Sequence, residues 1–195
     1  MSGRTASVHR ETRETRIEGV MAIDGRGDVV VSTGIGFLDH LITSLATHAG
    51  WDLVLRCEGD LDVDDHHTAE DCGLVLGMLV DQSLGARRGI RRFGCAHVPM
   101  DESLARAAID LVTRSSAVIY LGLKRHLLGA LACENIGHVL RTFAHAARCT
   151  LHVDVLRGEN DHHRAEAAFK ALAMAFREAA SETGADLVPS TKGAM

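Results

Sequence analysis

Between Val8 and Ile17 the chain runs polar, His9-Arg10-Glu11-Thr12-Arg13-Glu14-Thr15-Arg16, and this threonine- and arginine-rich, partly alternating stretch predicts a single strand over 7–20 with a polar face. Asp24-Gly25-Arg26-Gly27-Asp28 is turn-forming, and Val29-Val30-Val31-Ser32-Thr33 reads as a second strand, so the two form a predicted hairpin. Gly34-Ile35-Gly36 breaks the chain, and the period then changes. Phe37, Leu38, Leu41, Leu45 and Ala49 form one stripe of a helix over 37–48. A strand over 51–57 and a Gly59-Asp60 turn lead to a helix over 68–84, with Ala69, Cys72, Leu76, Leu79 and Ser83 inward. Gly85-Ala86-Arg87-Arg88-Gly89 marks a boundary.

Beyond that boundary the order recurs. Strands are expected over 93–99 and 105–112, joined by Met100-Asp101-Glu102-Ser103, and over 117–123. A helix over 136–147 buries Ile136, Leu140, Phe143 and Ala147. A strand over 150–156 follows, and then a helix over 162–180 with Ala165, Phe169, Leu172, Phe176 and Ala179 inward. The reading is an α/β chain, one catalytic domain over 1–195 built of two pseudo-repeats, about 1–88 and 89–195.

The repeat carries the candidate chemistry. Asp65-His66-His67-Thr68-Ala69-Glu70-Asp71 and Asp161-His162-His163-Arg164-Ala165-Glu166-Ala167 each hold a histidine pair, preceded by Asp and followed by Glu three residues after the second His. A lone pair would be an ordinary surface feature; the same motif twice, half a chain apart, points to metal. On a helix, residues three and four apart share a face, so each Glu sits near both of its histidines. Adjacent histidines point about 100° apart and serve two ions more easily than one. His40 and His138 stand on the shorter helix ahead of each motif and add a third imidazole to each constellation. The candidate ligands are therefore His40, His66, His67, Glu70, His138, His162, His163 and Glu166. Imidazole with carboxylate suits manganese, iron, zinc or another first-row divalent ion, and the absence of cysteine argues against a closed structural zinc site. One self-consistent split puts His40, His66, His163 and Glu166 on one metal, and His138, His162, His67 and Glu70 on the other, each drawing on both halves and on neighbouring subunits. Asp65 and Asp161 are read as helix caps, with a second possibility that they orient the histidines.

Composition narrows the class. The net charge of −5, with no basic run, argues against nucleic-acid or membrane-surface binding. No apolar stretch approaches the ~20 residues of a membrane span, and the polar start is unlike a signal peptide. The five cysteines are odd in number and show no CxxC, so they read as reduced, mostly buried thiols of a cytoplasmic protein.

These residues resemble imidazoleglycerol-phosphate dehydratase, an enzyme family of histidine biosynthesis. The resemblance covers essentially the whole chain. It rests on Arg13-Glu14-Thr15, Gly34-Ile35-Gly36-Phe37-Leu38-Asp39-His40-Leu41, Asp64 through Asp71, Arg91-Arg92-Phe93-Gly94, Val98-Pro99-Met100-Asp101-Glu102, Thr150-Leu151-His152-Val153, Gly158 through Ala171 and Pro189-Ser190-Thr191-Lys192-Gly193. It implies a two-layer α/β sandwich, internally duplicated, and a homo-oligomer of 24 subunits with active sites between subunits and two Mn2+ per site. It implies that the eight ligands above hold the metals. Arg92, Arg114, Lys170, Ser190, Thr191 and Lys192 would contact the phosphorylated imidazole substrate, with His48 lining the pocket and Glu14 at the reacting carbons. Two segments depart from the family pattern. Val112-Thr113-Arg114-Ser115-Ser116 stands where Ser-Gly-Arg-Pro is usual, and Cys133-Glu134-Asn135-Ile136-Gly137 where Thr-Glu-Leu-Val-Glu is usual.

The implied reaction is a hydro-lyase step, imidazole-glycerol phosphate to imidazole-acetol phosphate. Its difficulty is a proton on carbon with no neighbouring carbonyl. A ring bound by metal at both nitrogens becomes imidazolate, expels the adjacent hydroxyl and gives a diazafulvene-like intermediate with an acidified C–H. Glu14 is the candidate base, and Arg92 and Arg114 are the candidate phosphate clamps, with Lys170 and Lys192 as point charges. Two other readings stand beside it. A dimetal hydrolase acting on a phosphorylated small molecule would use bridging carboxylates and more aspartates than a set where histidines outnumber carboxylates three to one. A non-enzymatic metal-binding assembly would keep the eight ligands but have no use for Arg92, Arg114 and Lys170.

Overall fold

The computed structural model describes residues 3–193. The first half contains β1 (Thr5–Glu11), β2 (Thr15–Ala22), β3 (Val29–Ser32), α1 (Gly36–Ala49), β4 (Asp52–Gly59) and α2 (His66–Leu84). The second contains β5 (Phe93–Met100), β6 (Ser103–Asp110), β7 (Ser116–Tyr120), the two-residue strands β8 (Leu127–Leu128) and β9 (Leu131–Ala132), α3 (Cys133–Ala146), β10 (Thr150–Arg157) and α4 (Asp161–Ala180).

The two four-stranded sheets have one topology. Their orders are β1-β2-β4-β3 and β5-β6-β10-β7, antiparallel except for the final parallel pair. This is an α/β fold of sheets packed on helices, duplicated as the repeat predicts. The inward stripes read from the sequence are buried: Leu41 and Leu45 on α1, Leu76 and Leu79 on α2, Phe143 on α3, Phe169 and Phe176 on α4. Fully burying a side chain of this size contributes about 1.5–3 kcal/mol. Trp51, at the entry to β4, meets Phe176 of the other half edge-on at 4.9 Å.

The halves interlock through their helices. α1 packs against α4 and α2 against α3, so each helix pair takes one member from each half. The α2–α3 contact is backbone-close. A Cβ on Gly73 would lie 2.8 Å from the Val139 carbonyl oxygen, and one on Gly77 2.6 Å from that of Phe143.

The first strands differ from expectation. The segment 7–20 is two strands, turning at Thr12–Glu14. The Thr12 hydroxyl accepts the Glu14 and Thr15 amides, and the Thr12 amide donates to the Thr15 carbonyl. Residues 9–16 are all polar, so no hydrophobic period marks this turn. β3 does not pair with the strand before it; it runs parallel to β4. The Asp52 carboxylate at the start of β4 draws the turn there by accepting the amides of Arg26, Gly27 and Asp28.

Four cysteines are buried, Cys95 is exposed, and all five are free. No helix among the described residues is long and apolar enough to cross a membrane.

Candidate active site

α2 and α4 follow the central strands β4 and β10, and their first turns carry the histidine pairs; His40 and His138 stand in the second turns of α1 and α3. The α2 and α4 starts are built alike. The Asp64 carboxylate accepts the His66 amide at 2.8 Å, and the Asn160 side-chain Oδ1 accepts the His162 amide at 2.9 Å. These two residues satisfy first-turn donors that would otherwise be orphaned. Asp65 and Asp161 therefore do not cap, and they do not touch the histidines. Asp65 accepts the Ala132 amide at 2.6 Å, and buried Asp161 accepts the amides of Lys124 and Arg125. Both carboxylates fasten the β8–β9 insertion.

The helix pairs assemble two groups of side chains that could each hold a metal ion. On α1 and α4, the ligand atoms of His40, His162 and Glu166 lie within 4.8 Å of one another; on α2 and α3, those of His66, Glu70 and His138 do so. The pseudo-two-fold maps one group onto the other, His40 to His138, His162 to His66 and Glu166 to Glu70. Within one chain the grouping differs from the expected split. His162 sits with His40 and Glu166, and His66 with Glu70 and His138. The helix pairing explains it, because α1 meets α4, not α2.

In the first group, Glu166 Oε2 is 3.1 Å from His40 Nε2 and 3.2 Å from His162 Nε2, while Lys170 reaches its other oxygen at 2.6 Å. Burial opposes ionisation of Glu166, but Lys170 and His40 outweigh it and hold its pKa down to about 2. Phe37 covers the group, its ring 5.0 Å from that of His162. In the second group, the rings of His66 and His138 stack at 5.1 Å, and His138 Nε2 is 3.3 Å from Glu70 Oε1. His138 Nε2 is buried with no hydrogen-bond partner. A buried polar atom left unpaired is costly, and a cation between His66, Glu70 and His138 would satisfy it. The donor set fits a first-row divalent ion.

His67 and His163 join neither group. The Nδ1 of His67 lies 2.9 Å from Asp60, and its Nε2 3.7 Å from Glu14. The Nδ1 of His163 lies 2.7 Å from Glu102, and its Nε2 3.7 Å from Asp101. Glu14 and Asp101–Glu102 occupy the tips of equivalent hairpins, β1–β2 and β5–β6. Both imidazoles have pKa values raised, by the Asp60 and Glu102 hydrogen bonds first. Glu102 is pushed below the usual carboxylate range by the Asn160 amide, His163 and the Glu159 amide. Sequence reasoning passed over Asp60, Glu102 and Asn135. The acidic two-residue turn at Asp101-Glu102 was the available signal.

The expected phosphate contacts are divided. Lys170 stands at the Glu166 group. Arg92 pairs with Asp110 at 2.7 Å and binds the Pro189 carbonyl, which brings Ser190, Thr191 and Lys192 to the start of β5. Exposed Arg114 precedes β7, its carbonyl accepting the Thr150 hydroxyl at the start of β10. These residues are at the end of the sheet opposite His162. His48 is exposed at the last turn of α1, two turns beyond His40, and the chain does not bring it to either group.

The model of the family described as "Imidazoleglycerol-phosphate dehydratase" matches residues 33–176. The chain is similar to the imidazoleglycerol-phosphate dehydratase of Maudiozyma humilis, at 49% identity over all of both chains. It is also similar to that of Saccharomyces cerevisiae, at 59% identity over 85% of this chain and 75% of the yeast protein. Among solved structures, it resembles the imidazoleglycerol-phosphate dehydratases of Staphylococcus aureus and Pyrococcus furiosus. The first is 31% identical with a TM-score of 0.83, covering 91% of this chain and 99% of that one. The second is 34% identical, also with a TM-score of 0.83, covering 96% of this chain and 100% of that one. A family match across most of the chain, relatives at this identity and a shared architecture establish that the chain belongs to the imidazoleglycerol-phosphate dehydratase family, hydro-lyases of histidine biosynthesis.

Proposed function

We propose that the chain converts imidazole-glycerol phosphate to imidazole-acetol phosphate with two Mn2+ ions at each site, in an assembly of 24 copies whose sites lie between copies. One observation carries this reading. Two three-residue His/Glu groups repeat under the pseudo-symmetry, and one of them holds a buried imidazole nitrogen without a partner. Each group supplies three ligands, and the outward Nε2 of His67 or His163 from a neighbouring copy would supply a fourth. Four protein ligands would leave room at each ion for substrate or water.

When bound, the two cations act as Lewis acids on the two nitrogens of the substrate ring and lower the cost of removing its N–H proton. The chain's own residues do the rest. Rigid helix starts hold the ligand sets fixed, which a flat ring between two sets requires. Phe37 walls one side of its group with apolar surface. The hydroxyl beside the ring would leave as water, taking up the proton given up by the ring N–H, to give a diazafulvene-like intermediate, and the Glu14 carboxylate takes the proton from its neighbouring carbon. The resulting enol becomes the ketone. Glu14 is suited to this role because it is exposed at a hairpin tip beside His67. Exposed Arg114 presents a guanidinium fork to the phosphate, with Arg92, held by Asp110, carrying Ser190, Thr191 and Lys192 beside it, while Lys170 approaches from the Glu166 group of a facing copy.

The test is turnover of imidazole-glycerol phosphate by metal-stripped protein, with and without added Mn2+. Keto-phosphate product that depends on manganese is expected. Turnover unaffected by exhaustive metal removal would overturn the metal reading. Absence of turnover at full manganese occupancy would overturn the dehydratase reading.

A further inference from the structure

Three histidines of the proposed metal sites have Nδ1 anchored by a side-chain oxygen. His66 Nδ1 lies 3.0 Å from Asn135 Oδ1, His67 Nδ1 2.9 Å from Asp60 Oδ2, and His163 Nδ1 2.7 Å from Glu102 Oε2. None of the three anchors is itself a member of either His/Glu group. A neutral imidazole carries one ring proton, so a nitrogen that donates to an oxygen leaves the other as a bare lone pair.

We propose that Asp60, Asn135 and Glu102 are positioning residues that commit His67, His66 and His163 to the Nδ1–H tautomer, so that each presents Nε2 as a metal donor before any metal arrives. The inference rests on the proposed dimetal reading and deepens it. It matters most for His67 and His163. Those two imidazoles have no ligand partner within their own chain, so the orientation of each ring must be set locally if a neighbouring copy is to find it ready.

The anchors differ in rigidity, and that difference makes the inference testable. Glu102 Oε1 accepts three donors: the amides of Glu159 at 3.1 Å and Asn160 at 2.9 Å, and the Ser103 hydroxyl at 3.0 Å. Only Oε2 is left for His163. In Glu102→Gln the three donors fix the amide oxygen at the Oε1 place, which turns the NH2 toward His163. A donor facing Nδ1 demands a lone pair there, which moves the ring proton to Nε2 and removes the metal donor. Asp60 is different. Its second oxygen, Oδ1, is buried without a hydrogen-bond partner. In Asp60→Asn nothing opposes rotation of the amide, so its oxygen can still accept from His67. Two isosteric carboxylate-to-amide changes at equivalent places thus have unequal expected effects.

The experiment uses the full chain, labelled with 15N at histidine. Two-bond 1H–15N spectra of the metal-free protein, recorded at a pH high enough that the imidazoles are neutral, report each tautomer, with His163 assigned by its absence in His163→Ala. The wild type is expected to show His163 with Nδ1 protonated and Nε2 bare, and Glu102→Gln is expected to reverse it. Calorimetric titration with Mn2+ is expected to show affinity at one class of site falling about 10- to 100-fold in Glu102→Gln, with a smaller loss in Asp60→Asn. An Nε2-protonated His163 in the wild type would overturn the inference whatever the variants do. So would unchanged manganese affinity in a folded Glu102→Gln. A wild type with the expected tautomer but no manganese binding would instead overturn the dimetal reading and leave the anchoring geometry standing.

Discussion

At the scale of single residues, Arg87 and Arg88 look alike in the sequence, yet they have opposite fates. Both lie in the Gly85–Gly89 stretch, which reads as the boundary between the two halves. Arg87 is 1% exposed, and its guanidinium binds Asp81 and the carbonyls of Ala147 and Arg148. Arg88 pairs with Asp186 across open surface. Removing a buried cation leaves its partners unpaired, whereas an exposed pair contributes little. Arg87→Met is expected to destabilise the fold by about 3 kcal/mol or more, and Arg88→Met to leave the unfolding midpoint essentially where it is. Urea unfolding checks both through the midpoint at constant slope. Equal effects would show that the interior position of Arg87 carries no energetic weight. The same scale shows what the sequence could not display. The histidine pairs stood out because they repeat, but the partners of Asp65 and Asp161 depend on where the 124–132 segment lands. Local spacing suggested caps; tertiary placement made the two carboxylates tethers.

At the scale of elements, the helices were legible and the shortest strands were not. Four apolar stripes of helical period gave α1 to α4 with boundaries off by a few residues, because each stripe faces a continuous core. β8 and β9 are two residues each, too short for any period, and the Thr12–Glu14 turn hides inside an all-polar run that has no hydrophobic period. How the helices pair was not legible either, although Gly73 and Gly77 fix it. Their missing side chains let the α3 backbone approach α2, and that approach carries His138 to His66 and Glu70. In Gly73→Ala the Cβ meets the Val139 carbonyl at 2.8 Å, so the helices must part. Overpacking costs about 1–3 kcal/mol and the gain in helix propensity returns about 1 kcal/mol. The expected result is a lower melting temperature and selective weakening of one manganese site, since the α1–α4 group does not depend on this contact. Titration with Mn2+ resolves the two classes; equal weakening of both would contradict helix spacing as the cause.

At the scale of the whole molecule, the decisive quantity is a length. β10 runs eight residues from Thr150 to Arg157, about 25 Å at strand rise. Arg92 and Arg114 stand at its start, while His162 and His163 follow its end. A substrate with a three-carbon chain between ring and phosphate cannot reach both within one chain. If the proposed residues serve one reaction, the arginines of one copy must face the histidines of another. Mixing two inactive variants tests this. In Arg114→Ala the histidine groups are intact, and in His138→Ala the arginine is. Assemblies formed from equal amounts of the two contain sites that take an intact group from one variant and an intact arginine from the other. If partners associate at random, about a quarter of the sites are complete, so activity is expected to return to about a quarter of the wild-type value. Sites contained within single chains would recover none, because every chain would carry a defect of its own. Arg114 is the better choice of arginine, since Arg92 also holds Asp110 and the Pro189 carbonyl and its loss would disturb the C-terminal segment. The recovery should also require metal. The fourth imidazole at each group would come from a neighbouring copy, so the ion that completes a site also joins the chains that share it.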